Sequence, residues 1–153
     1  FLLRNDIETI HAATDLLAEA KLSPELRNEA LYYRAKAYTK QKAGKKAMED
    51  YRELAKDTRN PYGAEAKYQV AQSLYDAKEY AAAEKELLNY IEQSTPHAYW
   101  LARSFVLLSD VYHATGKDLD ARQYLLSLQQ NYQGNDDIES MIESRLSKLK
   151  VEN

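Results

Sequence analysis

Cysteine is absent from the 153-residue chain, and glycine and proline are scarce, with four and three copies. Without cysteine there can be no disulfide framework, no thiolate metal site and no cysteine nucleophile. So few Gly and Pro residues argue against a β-sandwich or barrel, which needs many turns. The longest apolar run, Phe105 to Leu108, is too short to cross a membrane. With a net charge of −3, the whole chain is not expected to attract nucleic acid or anionic lipid electrostatically.

The residues that are present favour helices arranged in a repeat. Ser23-Pro24, Asn60-Pro61 and Thr95-Pro96 each join a helix-capping residue to a proline suited to the first helical turn. A fourth start is expected at Gly134-Asn135, one period further on. Short breaks at 42–44, 76–78 and 115–117 divide each interval into two helical stretches. A helix–turn–helix unit with a period of about 36 residues predicts an all-α solenoid.

An internal alignment supports this repeat, because three stretches share four positions at steps of 3, 9 and 4. The three sets are Ala35, Tyr38, Ala47 and Tyr51; Ala71, Leu74, Ala83 and Leu87; and Ser109, Tyr112, Ala121 and Leu125. Another large residue follows each set, namely Leu54, Tyr90 and Leu128. Small residues let two helices approach closely, and the large neighbours fill the space beside them. We therefore expect Ala47, Ala83 and Ala121 to be buried where paired helices cross.

This small–aromatic–Ala–aromatic rhythm resembles the tetratricopeptide repeat (TPR) family over residues 28–132. The resemblance implies a right-handed superhelix of about 3.5 repeats. Its segments would be the second helix of a truncated repeat at 1–22, repeats at 23–59, 60–94 and 95–133, and a C-terminal helix at 134–153. Ala13, Leu17 and Ala20 match the truncated helix. The chain departs from the family where Leu31, Lys67 and Phe105 replace a usual tryptophan, and where Arg34 replaces a usual leucine.

The long, tyrosine-rich repeats also resemble those of bacterial cell-envelope TPR proteins. That resemblance implies the bacterial periplasm or cell envelope, with the cytoplasm as the alternative. Because the sequence begins with Phe1, we expect it to be a piece of a longer protein.

No set of residues marks catalytic chemistry. The three histidines, His11, His97 and His113, fall in three different units, and Asp110 with His113 makes only two of the three or four ligands that zinc requires. The isolated glycines form no phosphate-binding loop. Ser104 and Ser109 have no marked His and carboxylate partners. The sequence thus predicts a protein that is not an enzyme and that has no cofactor and no bound metal.

The TPR resemblance implies that the first helix of each pair lines a concave groove, which would bind a protein or peptide. The positions carried over are Tyr32, Lys36 and Lys40; Tyr68, Gln72 and Tyr75; and Arg103, Asp110 and His113. Tyrosine suits binding because it offers a large area and a polar tip. Tyr32 and Tyr68 could instead pack against a neighbouring repeat. The family's clamp for chaperone tails is not expected, because Tyr32 and Lys36 occupy its Lys and Asn positions.

Two further segments leave alternatives open. The basic run from Arg34 to Lys46 is interpreted as solvent-exposed cations at a helix end and turn, where they suit the helix dipole. Nucleic-acid binding is the alternative. The apolar stripe of the last helix, expected over 135–150, fits a cap on the last repeat, the first helix of a truncated repeat or a dimer contact. Its members are Ile138, Met141, Ile142, Leu146 and Leu149. The alternative to a peptide-binding scaffold is an assembly module that docks within its parent protein or self-associates weakly.

Overall fold

The structure, a computed structural model, describes residues 2–93 and 96–149, and all regular structure in these ranges is helical. The helices are α1 (Leu2–Leu17), α2 (Pro24–Lys40), α3 (Gly44–Leu54), α4 (Pro61–Asp76), α5 (Tyr80–Glu92), α6 (Ala98–Ala114), α7 (Asp118–Asn131) and α8 (Ile138–Leu146). The prediction of an all-α protein is therefore confirmed.

Two of the three proline-marked helix starts are confirmed. The Ser23 Oγ accepts a hydrogen bond from the Leu26 N–H at 3.2 Å, and α2 begins at Pro24. The Asn60 Oδ1 accepts one from the Gly63 N–H at 2.8 Å, and α4 begins at Pro61. Each side chain thus satisfies a free amide of the first turn.

The third start was predicted two residues too early. Helix α6 begins at Ala98, because His97 has the non-helical backbone angles φ −90° and ψ 81°. Thr95, which was expected to cap this helix, lies outside the described residues.

The three predicted breaks share one turn geometry. Lys42, Lys78 and Gly116 each have a positive φ, at 59°, 62° and 78°. In each turn the N–H of the next residue donates to a carbonyl five residues back, with N···O distances of 2.7–2.9 Å. These bonds are Ala43 to Tyr38, Glu79 to Leu74 and Lys117 to Tyr112. This geometry is the Schellman motif, which ends a helix. The accepting carbonyl groups belong to Tyr38, Leu74 and Tyr112, which occupy the same position in the three aligned sets.

The chain divides into two compact units, Phe1–Val70 and Ala71–Asn153. In the first unit α1 packs against α2, and α2 packs against α3. In the second unit α5 packs against α6, α6 packs against α7, and α8 contacts both α6 and α7. Contacts within each unit therefore join helices that are close in sequence.

Most of the repeat positions lie in the interior. Ala47, Ala83 and Ala121 are 3%, 0% and 0% exposed, so their predicted burial is confirmed. Tyr38 and Leu74 are half-buried, whereas the other members of the three aligned sets are buried. Leu54, Tyr90 and Leu128 are buried as well. The small residues thus occupy the places that leave no room for a larger side chain.

Helix α8 is shorter than predicted, with its ends at 138 and 146 instead of 135 and 150, and Lys150 lies outside the described residues. The Ile138 N–H is bonded to the Asp136 Oδ1 at 3.0 Å, so the preceding turn ends at Asp137. Ile138 and Ile142 are buried in a cluster with residues of α6 and α7, and the rest of the stripe packs around it. This packing fits a cap on the last repeat or a further first helix, with Met141, Leu146 and Leu149 only partly buried.

Candidate binding site

Three of the nine predicted groove residues line one cavity of about 250 Å³ in the second unit. Tyr75 comes from the end of α4, and Asp110 and His113 come from α6 together with Ser109. Arg145 of α8 and the two residues Lys148 and Leu149, which follow that helix, complete the lining. The cavity therefore brings together an aromatic ring, a carboxylate, an imidazole and two cationic side chains.

An ion pair between α6 and α8 forms one wall of this cavity. The Arg145 Nε donates to the Asp110 Oδ1 at 3.1 Å, and Nη2 donates to Oδ2 at 3.3 Å. Two parallel bonds fix the orientation of both groups. Sequence reasoning missed Arg145, because it lies 35 residues from Asp110 and outside the three aligned repeats.

His113 does not use Asp110 as its partner, although their spacing would allow contact along the helix. Its Nδ1 lies 2.8 Å from the Oδ1 of Asp118, in the first turn of α7. Asp110 is bonded to Arg145 instead. The imidazole thus has one nitrogen held by a neighbouring helix, and half of the side chain remains exposed.

Tyr75 contributes a partly buried phenol to the cavity. Burial raises the pKa of Tyr75, and the negative charge of Asp110 raises it further. The ring makes an edge contact with Tyr80, with centroids 5.6 Å apart. At neutral pH the hydroxyl group is therefore protonated and can donate a hydrogen bond.

In the first unit, Tyr32 and Lys36 meet a buried carboxylate that sequence reasoning did not single out. The Tyr32 hydroxyl donates to the Glu65 Oε1 at 2.9 Å, and the Lys36 Nζ lies 3.1 Å from Oε2. The Tyr32 ring also packs on Tyr62, with centroids 4.5 Å apart. Burial alone would lower the pKa of Lys36, but its hydrogen bonds to Tyr32 and Glu65 raise it above its ordinary value. These contacts favour the packing interpretation of Tyr32.

The burial of Tyr68 favours the packing interpretation that the sequence left open for it. Tyr68 is only 6% exposed, and no residue of α4 between 62 and 72 is exposed. Gln72 and Tyr75 are half-buried on the same helix, and the Gln72 side chain donates to the Asp76 Oδ1 at 2.9 Å.

The two remaining predicted residues lie outside the cavity of the second unit. Lys40 is exposed at the end of α2. The Arg103 Nη1 donates to the Tyr99 hydroxyl at 2.9 Å, and its guanidinium carbon lies 5.8 Å from the Tyr99 and Trp100 ring centres. Arg103 thus stabilises an aromatic cluster at the start of α6.

The basic run contains two cations that are already paired. Arg34 forms two hydrogen bonds with Asp50, at 2.7 and 2.8 Å, and Lys36 pairs with Glu65. Lys40, Lys42, Lys45 and Lys46 are exposed at the end of α2 and the start of α3. This placement supports the interpretation as solvent-exposed cations at a helix end and turn.

Across residues 5–93 and 96–149, no group of three or more His, Asp or Glu side chains is arranged to hold a metal ion. Within the described part of the chain, no helix combines the length and the apolar character that crossing a membrane requires. Comparison of the chain with protein-family models, with curated proteins and with solved structures finds no match in any of the three.

Proposed function

We propose that the chain is a non-catalytic interaction scaffold built from TPR-type helix pairs in an α-solenoid, and that it binds a peptide segment. The cavity lined by Tyr75, Asp110, His113 and Arg145 is the observation that carries this proposal. Three of these residues, Tyr75, Asp110 and His113, occupy positions that the TPR resemblance assigns to a binding groove. The three identical Schellman turns and the buried small residues support the repeat assignment.

The chemistry of the cavity suits an extended peptide. Tyr75 supplies a donor and an aromatic surface, and Asp110 supplies acceptor oxygens beside the guanidinium of Arg145. Peptide backbones present alternating N–H and C=O groups, which need both kinds of partner. Lys148 is exposed at the edge of the cavity and can pair with an acidic side chain of the ligand.

The alternative, a module that docks within a larger assembly, would use a different surface. The two buried residues of the α8 stripe, Ile138 and Ile142, pack against α6 and α7, so they are not available for such docking.

Selection from a displayed library of random peptides tests the peptide-binding proposal. We expect enriched peptides to bind the purified chain and to bind at least about tenfold more weakly after Tyr75→Ala or Lys148→Glu, because each change removes a contact group from the cavity. Isothermal titration calorimetry with one enriched peptide measures the difference.

Lys85→Glu provides the matched control, because Lys85 is also an exposed lysine, and it lies on α5 outside the cavity. This change alters the net charge as Lys148→Glu does, and it should leave the affinity unchanged. Failure to enrich any peptide, or equal affinities for all variants, would rule out this cavity as a peptide site.

A further inference from the structure

The hydrogen bond between His113 and Asp118 determines which ring nitrogen of His113 is left for a ligand. The His113 Nδ1 lies 2.8 Å from the Asp118 Oδ1. Because an ionised carboxylate only accepts hydrogen bonds, Nδ1 carries a proton and donates it. In the neutral ring, Nε2 therefore has a lone pair and no proton. His113 lines the cavity and Asp118 belongs to α7, so Nε2 is the nitrogen that a ligand in the cavity can use.

Protonation reverses the role of Nε2 and leaves the bond to Asp118 intact. Imidazole side chains gain their second proton in the range of about pH 5–8. In the protonated ring both nitrogens donate, so Nδ1–H stays on Asp118 and Nε2–H becomes a donor toward the cavity. Half of the His113 side chain is exposed, so the ring can exchange its proton with water. The protonated form therefore suits an anionic acceptor.

Two further side chains of the lining can donate to such an acceptor. The Tyr75 hydroxyl and the Lys148 ammonium group have no hydrogen-bond partner among the residues that the structure describes. Arg145, in contrast, is held by its two hydrogen bonds to Asp110, at 3.1 and 3.3 Å. A carboxylate has two oxygens and accepts several hydrogen bonds at once, so one ligand carboxylate can use more than one of these donors.

The charged groups around His113 balance one another when the ring is neutral. Two carboxylates and two cations line the cavity or are bonded to its lining, namely Asp110, Asp118, Arg145 and Lys148. Asp76, next to Tyr75, and Lys117, in the turn after α6, add one charge of each sign. A ligand carboxylate therefore brings an excess negative charge, and protonation of His113 neutralises it.

We propose that the peptide site selects an acidic side chain of its ligand and that His113 strengthens this selection as the pH falls. This inference rests on the proposed function, since it concerns the same cavity. The ligand carboxylate accepts hydrogen bonds from Lys148 and Tyr75, and the protonated ring donates its Nε2–H to the same group. Glutamate has an ordinary pKa of about 4.3, so the ligand keeps its charge over the range in which an imidazole gains one.

Selection of the displayed peptide library at about pH 6 and at about pH 8 tests the proposal. We expect the enriched histidine-free peptides to share an acidic residue at one position, more strongly at the lower pH. In calorimetry, one such peptide should bind at least about fivefold more tightly at the lower pH. The same peptide with its Glu replaced by Gln should bind more weakly and lose this pH dependence.

His113→Asn identifies the group that responds to pH. The amide of asparagine can still donate to Asp118, but it cannot gain a charge. The ratio of the affinities at the two pH values should therefore fall to about one. His11→Asn is the matched control, because His11 is an exposed histidine of α1 in the other compact unit, and it should keep the wild-type ratio.

The outcomes separate this inference from the proposed function. Enriched peptides without an acidic preference, or a pH ratio that His113→Asn leaves unchanged, would overturn the inference and leave the peptide site in place. Failure to enrich any peptide at either pH would overturn both.

Discussion

Arg34 stands where the resemblance to TPR proteins implies a leucine, and a buried carboxylate compensates for the change. The Asp50 side chain is 5% exposed and forms two hydrogen bonds with the guanidinium group. The hydrogen bond to Asp50 is the main cause that raises the pKa of Arg34. A further bond joins the Arg34 Nη1 to the Thr14 hydroxyl at 3.2 Å. The substitution is thus accommodated by a partner on the paired helix.

Removing one member of this pair should be costly, whereas removing both should not. Asp50→Leu or Arg34→Leu alone is expected to lower the free energy of unfolding by about 3 kcal/mol, because an unpaired charge stays buried. The double variant Arg34→Leu/Asp50→Leu should recover most of that loss. Urea unfolding of the wild type, the two single variants and the double variant gives the interaction energy of the pair as a double-mutant cycle.

The exposed pair of Lys56 with Glu53 is the control for that cycle. Its side chains are 73% and 41% exposed, so Lys56→Ala should cost less than about 1 kcal/mol. If Lys56→Ala and Asp50→Leu lowered the free energy of unfolding equally, burial would not explain the contribution of the Arg34–Asp50 pair to stability.

At position 63 only glycine fits, because the backbone carbonyl groups of Asp57 and Leu54 lie close to it. A Cβ atom built there would lie 1.8 Å from the carbonyl oxygen of Asp57 and 2.8 Å from that of Leu54. Backbone atoms cannot move aside as a flexible side chain can, so Gly63→Ala should destabilise the protein by about 3 kcal/mol, at the upper end of overpacking costs. Thermal or urea unfolding measures the change.

Gly44→Ala is the control for this prediction, because nothing lies within 4 Å of a Cβ atom at that position. It should be neutral or slightly stabilising, since alanine favours helices over glycine. A Gly63→Ala variant as stable as Gly44→Ala would contradict the close approach of α4 to the preceding turn.

At the scale of the elements, one turn design recurs with different residues. Lys78 adopts a φ of 62° where the third copy of the turn uses Gly116. A left-handed conformation costs a residue with a side chain roughly 1 kcal/mol or more, and glycine avoids that cost. We expect Lys78→Gly to raise the free energy of unfolding by about 0.5–1 kcal/mol and Gly116→Ala to lower it by a similar amount. Urea unfolding measures both changes. A lower stability of Lys78→Gly, or a higher stability of Gly116→Ala, would contradict the shared turn geometry.

The centre of the helix pair admits only a small residue. Ala83 is 0% exposed, whereas its neighbour Ala82 on α5 is exposed. Ala83→Leu should overpack the interior and cost about 1–3 kcal/mol, and Ala82→Leu should cost almost nothing. The comparison of the two denaturation midpoints tests the repeat alignment, because neighbouring residues on one helix differ only in the face they occupy.

At the scale of the whole molecule, the tyrosines are expected to determine how the stability of the protein changes at alkaline pH. The pKa is raised in seven of the 13 tyrosines, and burial is the first cause in each. For Tyr132, burial and the hydrogen bond to Asp136 raise the pKa to about 12. The pKa of Lys36 is raised as well, so it contributes in the same direction.

The sign of the pH effect follows from proton binding. Above pH 10, the ordinary pKa of tyrosine, the unfolded chain loses phenolic protons that the folded chain keeps. The stability contribution is complete below that pH and is lost as the pH rises toward about 12. We expect the urea midpoint to fall steeply in this range, and Tyr132→Phe should reduce the slope. A midpoint that does not change with pH would contradict the burial of these phenols.

Much of the helical framework could be predicted because its signals are local. Ser23 and Asn60 act through hydrogen bonds spanning three residues, and each Schellman turn closes over five. The buried alanines were also predictable, since a small residue repeated at fixed spacing has few explanations other than close packing. The start of α6 was missed by two residues, because proline marks a region where a helix can begin and does not require it to begin there.

The sequence by itself thus determined the all-helical framework, the three turns and the buried small residues of the aligned sets, although it misplaced the start of α6 and both ends of α8. Only the tertiary structure decided how the polar and aromatic side chains are used. The partners Asp110 and Arg145, and likewise Tyr32 and Glu65, lie 35 and 33 residues apart, so no local pattern joins them. Tyr68 and Tyr75 share one helix and similar spacing, yet the first is buried and the second lines a cavity. Helical periodicity tells which residues share a face, and only the packed neighbours determine whether that face is covered.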